Sequence, residues 1–331
     1  MLNEVVSDRL YCLEPEYRNF INPLYLRRMP RIIKMGLAAA QQCVKSAGEI
    51  IPEGIVVGTG LGCLDNLEKF LIEVIDSDEN VKSMLGFINS THNAVAAQIA
   101  MLLKNHSYNV TYCHRALSFE SALYDAMMLL DEGAGNVLVG GIDECTDDFM
   151  KLHGYLNAWK KPVNNLSLIE DHGPGSIAGE GSAFFMLSSE KCSGKINIAV
   201  KQIRTFLLSS QDVHDNVIKE MECLFKAAAI DKNDIDAVIL GLNGDYSNDD
   251  VYYKLQNDYF SAQTGMLYYK HLCGEYYTSG AFALWLAKIV LQNNHIPERV
   301  CLQKTNRTLR NILIFNHFRN TEHSLILLAN E

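Results

Sequence analysis

A layered α/β fold is predicted by three observations. Strand-like apolar runs alternate with helical patterns from end to end, the chain is long enough to bury a large core, and no low-complexity or proline-rich linker interrupts it. Its 331 residues are 48% hydrophobic and 21% charged, the balance of a globular protein built as one large domain or two intimate halves. "GIVVGTG" (54–60) reads as a strand leading into "LDNLEKFLIEVI", whose apolar residues recur at the three- and four-residue spacing of a helix. "YNVTYC" (108–113) reads as a buried strand, followed by a long helix through "FESALYDAMMLL" to Gly133. "NVLVGG" (136–141) reads as another buried strand, ended by a glycine pair, and "SAFFML" (182–187) as a further one. The composition changes near "SSEKCSG" (188–194), which places a division between residues 1–190 and 191–331. Beyond it the pattern repeats: "KINIAVKQI" (195–203), a helix near 213–229, "IDAVILGLNG" (235–244), a helix through "SGAFALWLAKIVL", "NILIFN" (311–316) and "SLILL" (324–328).

Composition excludes several function classes. The formal net charge is −10 with acidic residues scattered, so no basic stripe exists to neutralise nucleic-acid phosphates. The longest apolar runs, such as "FALWLAKIVL", are about half a membrane span. The opening "MLNEVVSDRLYCLEPEYRNF" lacks the charged-then-apolar plan of a signal peptide. Nine cysteines, odd in number and without a C-x-x-C pair, argue against a disulfide framework or zinc knuckle and for a reducing cytoplasm. The ten histidines show no metal-binding spacing, so no metal is expected. The glycines of "GTGLG" fall at 58, 60 and 62, which is not the dinucleotide fingerprint; a close-packed glycine turn is the better reading, and no cofactor is expected.

Three stretches, in order, resemble the β-ketoacyl synthases, the thiolase-fold condensing enzymes of fatty acid and polyketide assembly. "NAVAAQIAMLLK" (93–104) is similar to that family's N-x-x-A-x-x-I-A helix, and "NVLVGGIDE" to its V-x-V-x-G-G-x-E strand. "GPGSIAGEGSAFFML" is similar to its G-F-x-x-G-E-G-A stretch, with Gly179, Glu180 and Gly181 as the core and Ser176 in the usual Phe position. The similarity runs from about residue 30 to the C-terminus. It implies a five-layered α/β/α/β/α thiolase-like fold of two similar halves, with the first strand of the N-terminal half missing or degenerate, because residues 1–20 offer no V-V-V-T-G-like opening.

The resemblance also fixes where the family's chemistry would stand. Its cysteine, in T-A-C-x-S, opens a buried helix whose N-terminus lowers the thiol pKa and whose backbone N–H groups form an oxyanion hole. Counting without gaps forward from "VAAQIAM" and backward from "EGAGNVLVGG" gives residue 116 both times, which is alanine; Ser118 keeps the serine. The first histidine, in H-G-T-x-T-x-x-x-D, falls on Gly241 of "GLNGDYSND", where Asp249 fits. The second, in K-x-x-x-G-H, falls on Glu275 of "KHLCGE", where Lys270 and Gly274 are kept; His271 lies four positions early and is read as a decoy. The glycine-rich gate loop becomes "NHFRNTEHS", retaining Asn316 and Phe318. Cys113, with His114 as base, is the alternative nucleophile; adjacent strand residues face opposite ways, which argues against it.

With Ala116, Gly241 and Glu275 at the three positions, the resemblance implies a member with a degenerate active site. It is most like the cysteine-less chain-length-factor branch and the ketosynthase-like proteins of aryl-polyene and flexirubin-type clusters. Three functions stay open: a non-catalytic chain-length-factor-type subunit of fatty acid or polyketide (polyene) synthesis, an active 3-oxoacyl synthase or acyltransferase with relocated residues such as Cys113, and a homodimer that binds an acyl group or acyl carrier protein without chemistry. The implied partners are a second copy or an intact ketosynthase, and acyl carrier protein. By resemblance the dimer forms through "YNVTYC", with Tyr108, Val110 and Tyr112 on one face and Asn109, Thr111 and Cys113 on the other.

Overall fold

The computed structural model describes residues 4–78, 84–191, 196–209 and 212–331. Its first sheet holds four strands: β1 (Gly54–Gly58), β2 (Tyr108–Tyr112), β3 (Asn136–Asp143) and β4 (Gly181–Ser188). Their order is β2-β1-β3-β4; β1 runs parallel to both neighbours and β4 antiparallel to β3. The second sheet holds β5 (Ile198–Leu207), β6 (Ala237–Leu240), β7 (Gly265–Tyr268), β8 (Cys301–Gln303), β9 (Asn311–Phe318) and β10 (Glu322–Asn330). Its order is β8-β7-β6-β9-β10-β5, with β6 parallel to β7 and β9. β7-β6-β9-β10 therefore repeats the pattern of β2-β1-β3-β4.

Continuous apolar sequence explains the centre of each sheet. Every residue of β1 (GIVVG) and β6 (AVIL) is buried, as expected of parallel strands covered on both faces. Helices supply that cover. On the outside of the first sheet lie α1 (Arg31–Ser46) and α3 (Ala94–Leu103), whose Ile32, Ile33, Leu37, Val95 and Ile99 join Ile55, Val57 and Leu138 in one core. Between the sheets lie α4 (Ser118–Asp131) and α8 (Gly280–Asn293), which pack Phe119, Leu123, Leu284 and Val290 against residues of both. α8 is apolar almost all round, which suits a helix buried on two sides. Outside the second sheet, α6 (Val213–Ala228) and α7 (Tyr246–Asp258) bring Val217, Phe225, Tyr252 and Leu255 onto Val238 and Leu313. The result is five layers: helices, sheet, helices, sheet, helices. Two shorter helices matter below, α2 (Leu64–Asp76) and α5 (Asp147–Gly154).

Two differences from the sequence expectations have clear causes. "YNVTYC" is not a buried strand. β2 is the sheet's edge, paired with β1 alone among the described residues, and Tyr108 and Asn109 are exposed. The alternation is as expected: the Tyr108 hydroxyl donates to Asp125 on α4 (3.1 Å), whereas the Asn109 amide donates to the Ala96 carbonyl on α3 (3.0 Å). The outer edge of β10 is covered along its length by antiparallel β5, but β4 has no such neighbour among the described residues. The N-terminal stretch instead makes two-residue pairings, Val6–Ser7 with Val163–Asn164 and Arg9–Leu10 with Ala178–Gly179. The junction predicted near 188–194 falls partly outside the described residues.

Candidate functional site

The tip of α4 and its preceding turn, Arg115–Leu117, lie in the middle layer with Ala116 buried. The Ala116 N–H is already occupied: it donates to Glu322 Oε2 (3.0 Å), and Glu322 Oε1 lies 3.4 Å from Arg115 Nε. Glu322 reaches this point because Phe318 and Glu322 pair across the β9–β10 turn, whose Arg319 and Asn320 both take left-handed φ near 51°. A helix N-terminus favours an anion, and here the chain supplies its own.

Gly241 follows β6, its N–H donating to the Phe315 carbonyl (2.9 Å). No side chain fits there as packed. A Cβ would collide with Asn316 Oδ1 and lie 2.6 Å from the Tyr252 hydroxyl. Asn316 therefore fills the space that a residue larger than glycine would claim.

Glu275 is 5% exposed and holds two donors on one oxygen, Lys270 Nζ (2.7 Å) and Asn243 Nδ2 (2.6 Å) to Oε2. Lys270 is fully buried, so this is a buried ion pair with an amide brace. The backbone crossing that sets it uses the Gly179 of the G-E-G stretch. A Cβ on Gly179 would strike the Cys273 carbonyl and sit 2.7 Å from Gly274 Cα. Glu180 beside it is structural, with Oε2 2.7 Å from Arg31 Nη1, and it accepts the N–H groups of Cys12 and Cys145. Ser176 donates to the Asn243 carbonyl (2.7 Å).

Gly241 lies two residues from Asn243, which holds Glu275, and is linked to α4 through β9 and β10. Asn316, against Gly241, pairs in register with Ser324, whose hydroxyl donates to Glu120 on α4 (3.1 Å). Asp249 accepts the Gly244 N–H (2.8 Å). Burial pushes the carboxyls of Glu120 and Asp249 up to about 7 and that of Asp143 up to about 6. Burial likewise pushes His271 and His323 down to about 4, and His317 well below the usual range. His271 is stacked face to face on Tyr268 (4.0 Å) in the fold's interior.

Cys113 follows the last residue of β2 and is exposed, with its thiol 3.3 Å from the Gly60 carbonyl. Burial, then the Asp143 charge, pushes that thiol up, away from thiolate formation. The His114 ring points elsewhere, 3.3 Å from Ser121 Oγ. The structure does not bring Cys113 and His114 together.

On the far side of Glu275 lies a pocket of ≈ 360 Å³. Its walls include Phe149 and His153 of α5 together with Trp159, Tyr277 and Phe318. Sequence reasoning missed this pocket and the Glu322 contact, because both are made by residues far apart in the chain. No local signal could have shown either.

Residues 10–159 match the family model described as the β-ketoacyl synthase N-terminal domain. No curated protein matches the chain in sequence. Among solved structures, the ishigamide ketosynthase/chain length factor superposes with a TM-score of 0.78 at 15% identity, covering 97% of this chain and 87% of that one. The ketosynthase ApeO in complex with its chain length factor ApeC, from Xenorhabdus doucetiae, gives 0.77 at 15% identity, covering 100% and 90%. AntDE:AntF, a type II polyketide acyl-carrier protein in complex with its ketosynthase, gives 0.73 at 13% identity, covering 98% and 91%. In sequence over residues 10–159, and in its thiolase-like fold over nearly its whole length, this chain is similar to the β-ketoacyl synthases and their chain length factor relatives.

Proposed function

We propose that this chain is a non-catalytic, chain-length-factor-type subunit that pairs with an intact ketosynthase in acyl-carrier-protein-dependent fatty acid or polyketide synthesis. The observation that carries the reading is at the tip of α4. Where the family resemblance calls for a cysteine there is Ala116, and its amide is bound to Glu322 of the same chain. A carbonyl oxygen developing negative charge would have to displace a carboxylate already there. The other two positions support the same reading. Gly241 has no space for an imidazole, and Glu275 is committed to Lys270 and Asn243. Both contacts are donors to Glu275, so its side chain already serves as an acceptor.

Partnership is supported by the open edge of β2, a row of backbone groups paired on one side only. Joining that edge to a counterpart would make one continuous sheet across two subunits. The solved ketosynthase–chain length factor and ketosynthase–carrier-protein complexes make an intact ketosynthase and a carrier protein the partners to try. Co-expression with a neighbouring ketosynthase gene should give a one-to-one complex by light scattering, and Val110→Pro in β2 should abolish it. A monomer at micromolar concentration in the ketosynthase's presence would sink the proposal.

A further inference from the structure

The pocket beyond Glu275 has a chemistry of its own. Glu275 uses Oε2 for both of its donors, and its other oxygen carries no hydrogen bond from the described residues while the side chain lines the pocket. Glu144 is arranged the same way: Oε1 accepts the Asp65 N–H (3.0 Å), Oε2 has no partner among the described residues, and the residue, 8% exposed, lines the same pocket. Asp245 adds a third carboxylate to the lining. Aromatic faces complete the walls, with Phe149 5.8 Å from Trp159 and 6.4 Å from Tyr277 between ring centroids.

Positive charge in the pocket is largely spent. Arg319 lies over the Phe318 ring (5.5 Å), and Lys270 faces Glu275 from behind the wall. His153, whose ring lies tilted 4.1 Å from that of Phe149, is held below the usual range by burial and by Arg319 and Arg115. Four acidic side chains, Asp143, Glu144, Asp245 and Glu275, line the space with one guanidinium, Arg319, and Arg115 lies over the Phe318 ring (5.9 Å). Burial raises the Glu144 carboxyl to about 7, and a cation beside it would draw it into the carboxylate form. Asp143 is fully engaged with Thr59, Gly60 and Thr278 and serves the fold.

We infer that this pocket binds an organic cation: a protonated amine on an aryl or short alkyl body, its ammonium between Glu144 and Glu275 and its body against Phe149, Trp159 and Tyr277. Ring faces attract cations through their quadrupoles, and a recessed site strengthens that attraction. The free carboxylate oxygens supply the acceptors that an ammonium needs when it leaves water. The inference does not depend on the partnership proposed above, since it concerns the isolated chain.

The chain has two tryptophans, Trp159 in the pocket and Trp285 on the exposed side of α8. Trp285→Phe therefore leaves Trp159 as the sole indole reporter. Titrating this variant with 2-phenylethylamine, 2-phenylethanol, phenylacetate and an S-acetyl pantetheine probe reads the ligand class directly. The amine should saturate the Trp159 signal and bind at least tenfold tighter than the isosteric alcohol. Glu144→Gln should cut that preference to threefold or less while leaving the thermal midpoint within two degrees. If Glu144→Gln fails to fold, Asp245→Asn should still reduce the preference at least twofold. Binding of phenylacetate, the alcohol or the pantetheine thioester as tight as the amine would overturn the inference. So would the absence of a saturable signal from all four probes.

Discussion

Glu275 separates two regions that the same fold treats in opposite ways. Inward of it, around Ala116, Gly241 and Lys270, buried polar groups pair within the chain, Lys270 to Glu275, Asn243 to Glu275, Glu322 to the Ala116 amide and Ser324 to Glu120, while Glu120 Oε2 and Asn316 Oδ1 have no partner among the described residues. Outward of it is a pocket of ≈ 360 Å³ with ring walls and carboxylate oxygens left open. The difference teaches where function can reside. At the tip of α4, where the family resemblance puts the nucleophile, the chain's own Glu322 takes the Ala116 amide, while the space beyond Glu275 remains a cavity. Substitutions should be costly on the inner side and cheap on the outer.

The largest effect is expected at the ion pair. Lys270→Ala or Glu275→Ala strands a buried charge and should lower unfolding stability by about 3–5 kcal/mol in urea titrations. Replacing both with apolar residues of similar size should recover much of it; no recovery would show that the pair holds more than itself. Gly241→His comes next. Its Cβ alone collides with Asn316, so a loss of about 1–3 kcal/mol or more is expected, partly relieved by Asn316→Ala. A fully stable Gly241→His protein would mean that the inner region is looser than described.

Titration sharpens the same contrast. Glu120, Asp249 and Asp143 have folded pKa values raised by burial to about 7, 7 and 6, as has Glu144 at the pocket, raised to about 7. Each holds a proton that the unfolded chain releases above about pH 4, so stability from these groups falls as pH rises toward their folded values. His271, His317 and His323 act with opposite sign. Their folded values lie below the usual 6.5, so stability rises as pH climbs from about 4 to 6.5, where the unfolded chain stops binding the extra protons. The two sets nearly cancel up to about pH 6.5, and the carboxyl penalty continues above it. Thermal midpoints should therefore stay nearly level from about pH 4.5 to 6.5 and decline by pH 8. Glu120→Gln should flatten the decline, and a midpoint still rising at pH 8 would refute this balance.

Smaller effects belong to the boundary and the pocket. Glu322→Gln keeps an acceptor for the Ala116 amide and should cost about 1 kcal/mol. Leu156→Ser, on the exposed rim of the pocket, should stay within about 0.5 kcal/mol of the parent. A rim substitution as costly as one at Lys270 would erase the distinction between the two regions.

Sequence pattern carried much of this. The central strands 54–58, 136–140 and 236–240 were legible because parallel strands buried on both faces must be continuously apolar. The edge position of 108–112 was not legible in the pattern, since an aromatic and β-branched run reads alike at an edge and in an interior; only the family resemblance, which puts a dimer seam there, implied it. Spacing from the family's motifs pointed to Ala116, Gly241 and Glu275, but the ion pair between Lys270 and Glu275 was not read from the sequence. That Glu322 caps Ala116 could not be read, because the two are 206 residues apart and meet only through the β9–β10 turn. The pocket escaped for the same reason: it needs Phe149, Trp159, Asp245 and Tyr277 from four separate segments.

In the proposed role no acyl group is carried by this chain. Intact-protein mass spectrometry after incubation with an acyl-loaded carrier protein tests it most directly. The predicted result is an unmodified mass, for the chain alone and in complex with a ketosynthase, where acylation appears on the ketosynthase only. A stoichiometric thioester on this chain, mapped by peptide analysis to Cys113, would contradict the claim and make the exposed thiol beside Gly60 the nucleophile.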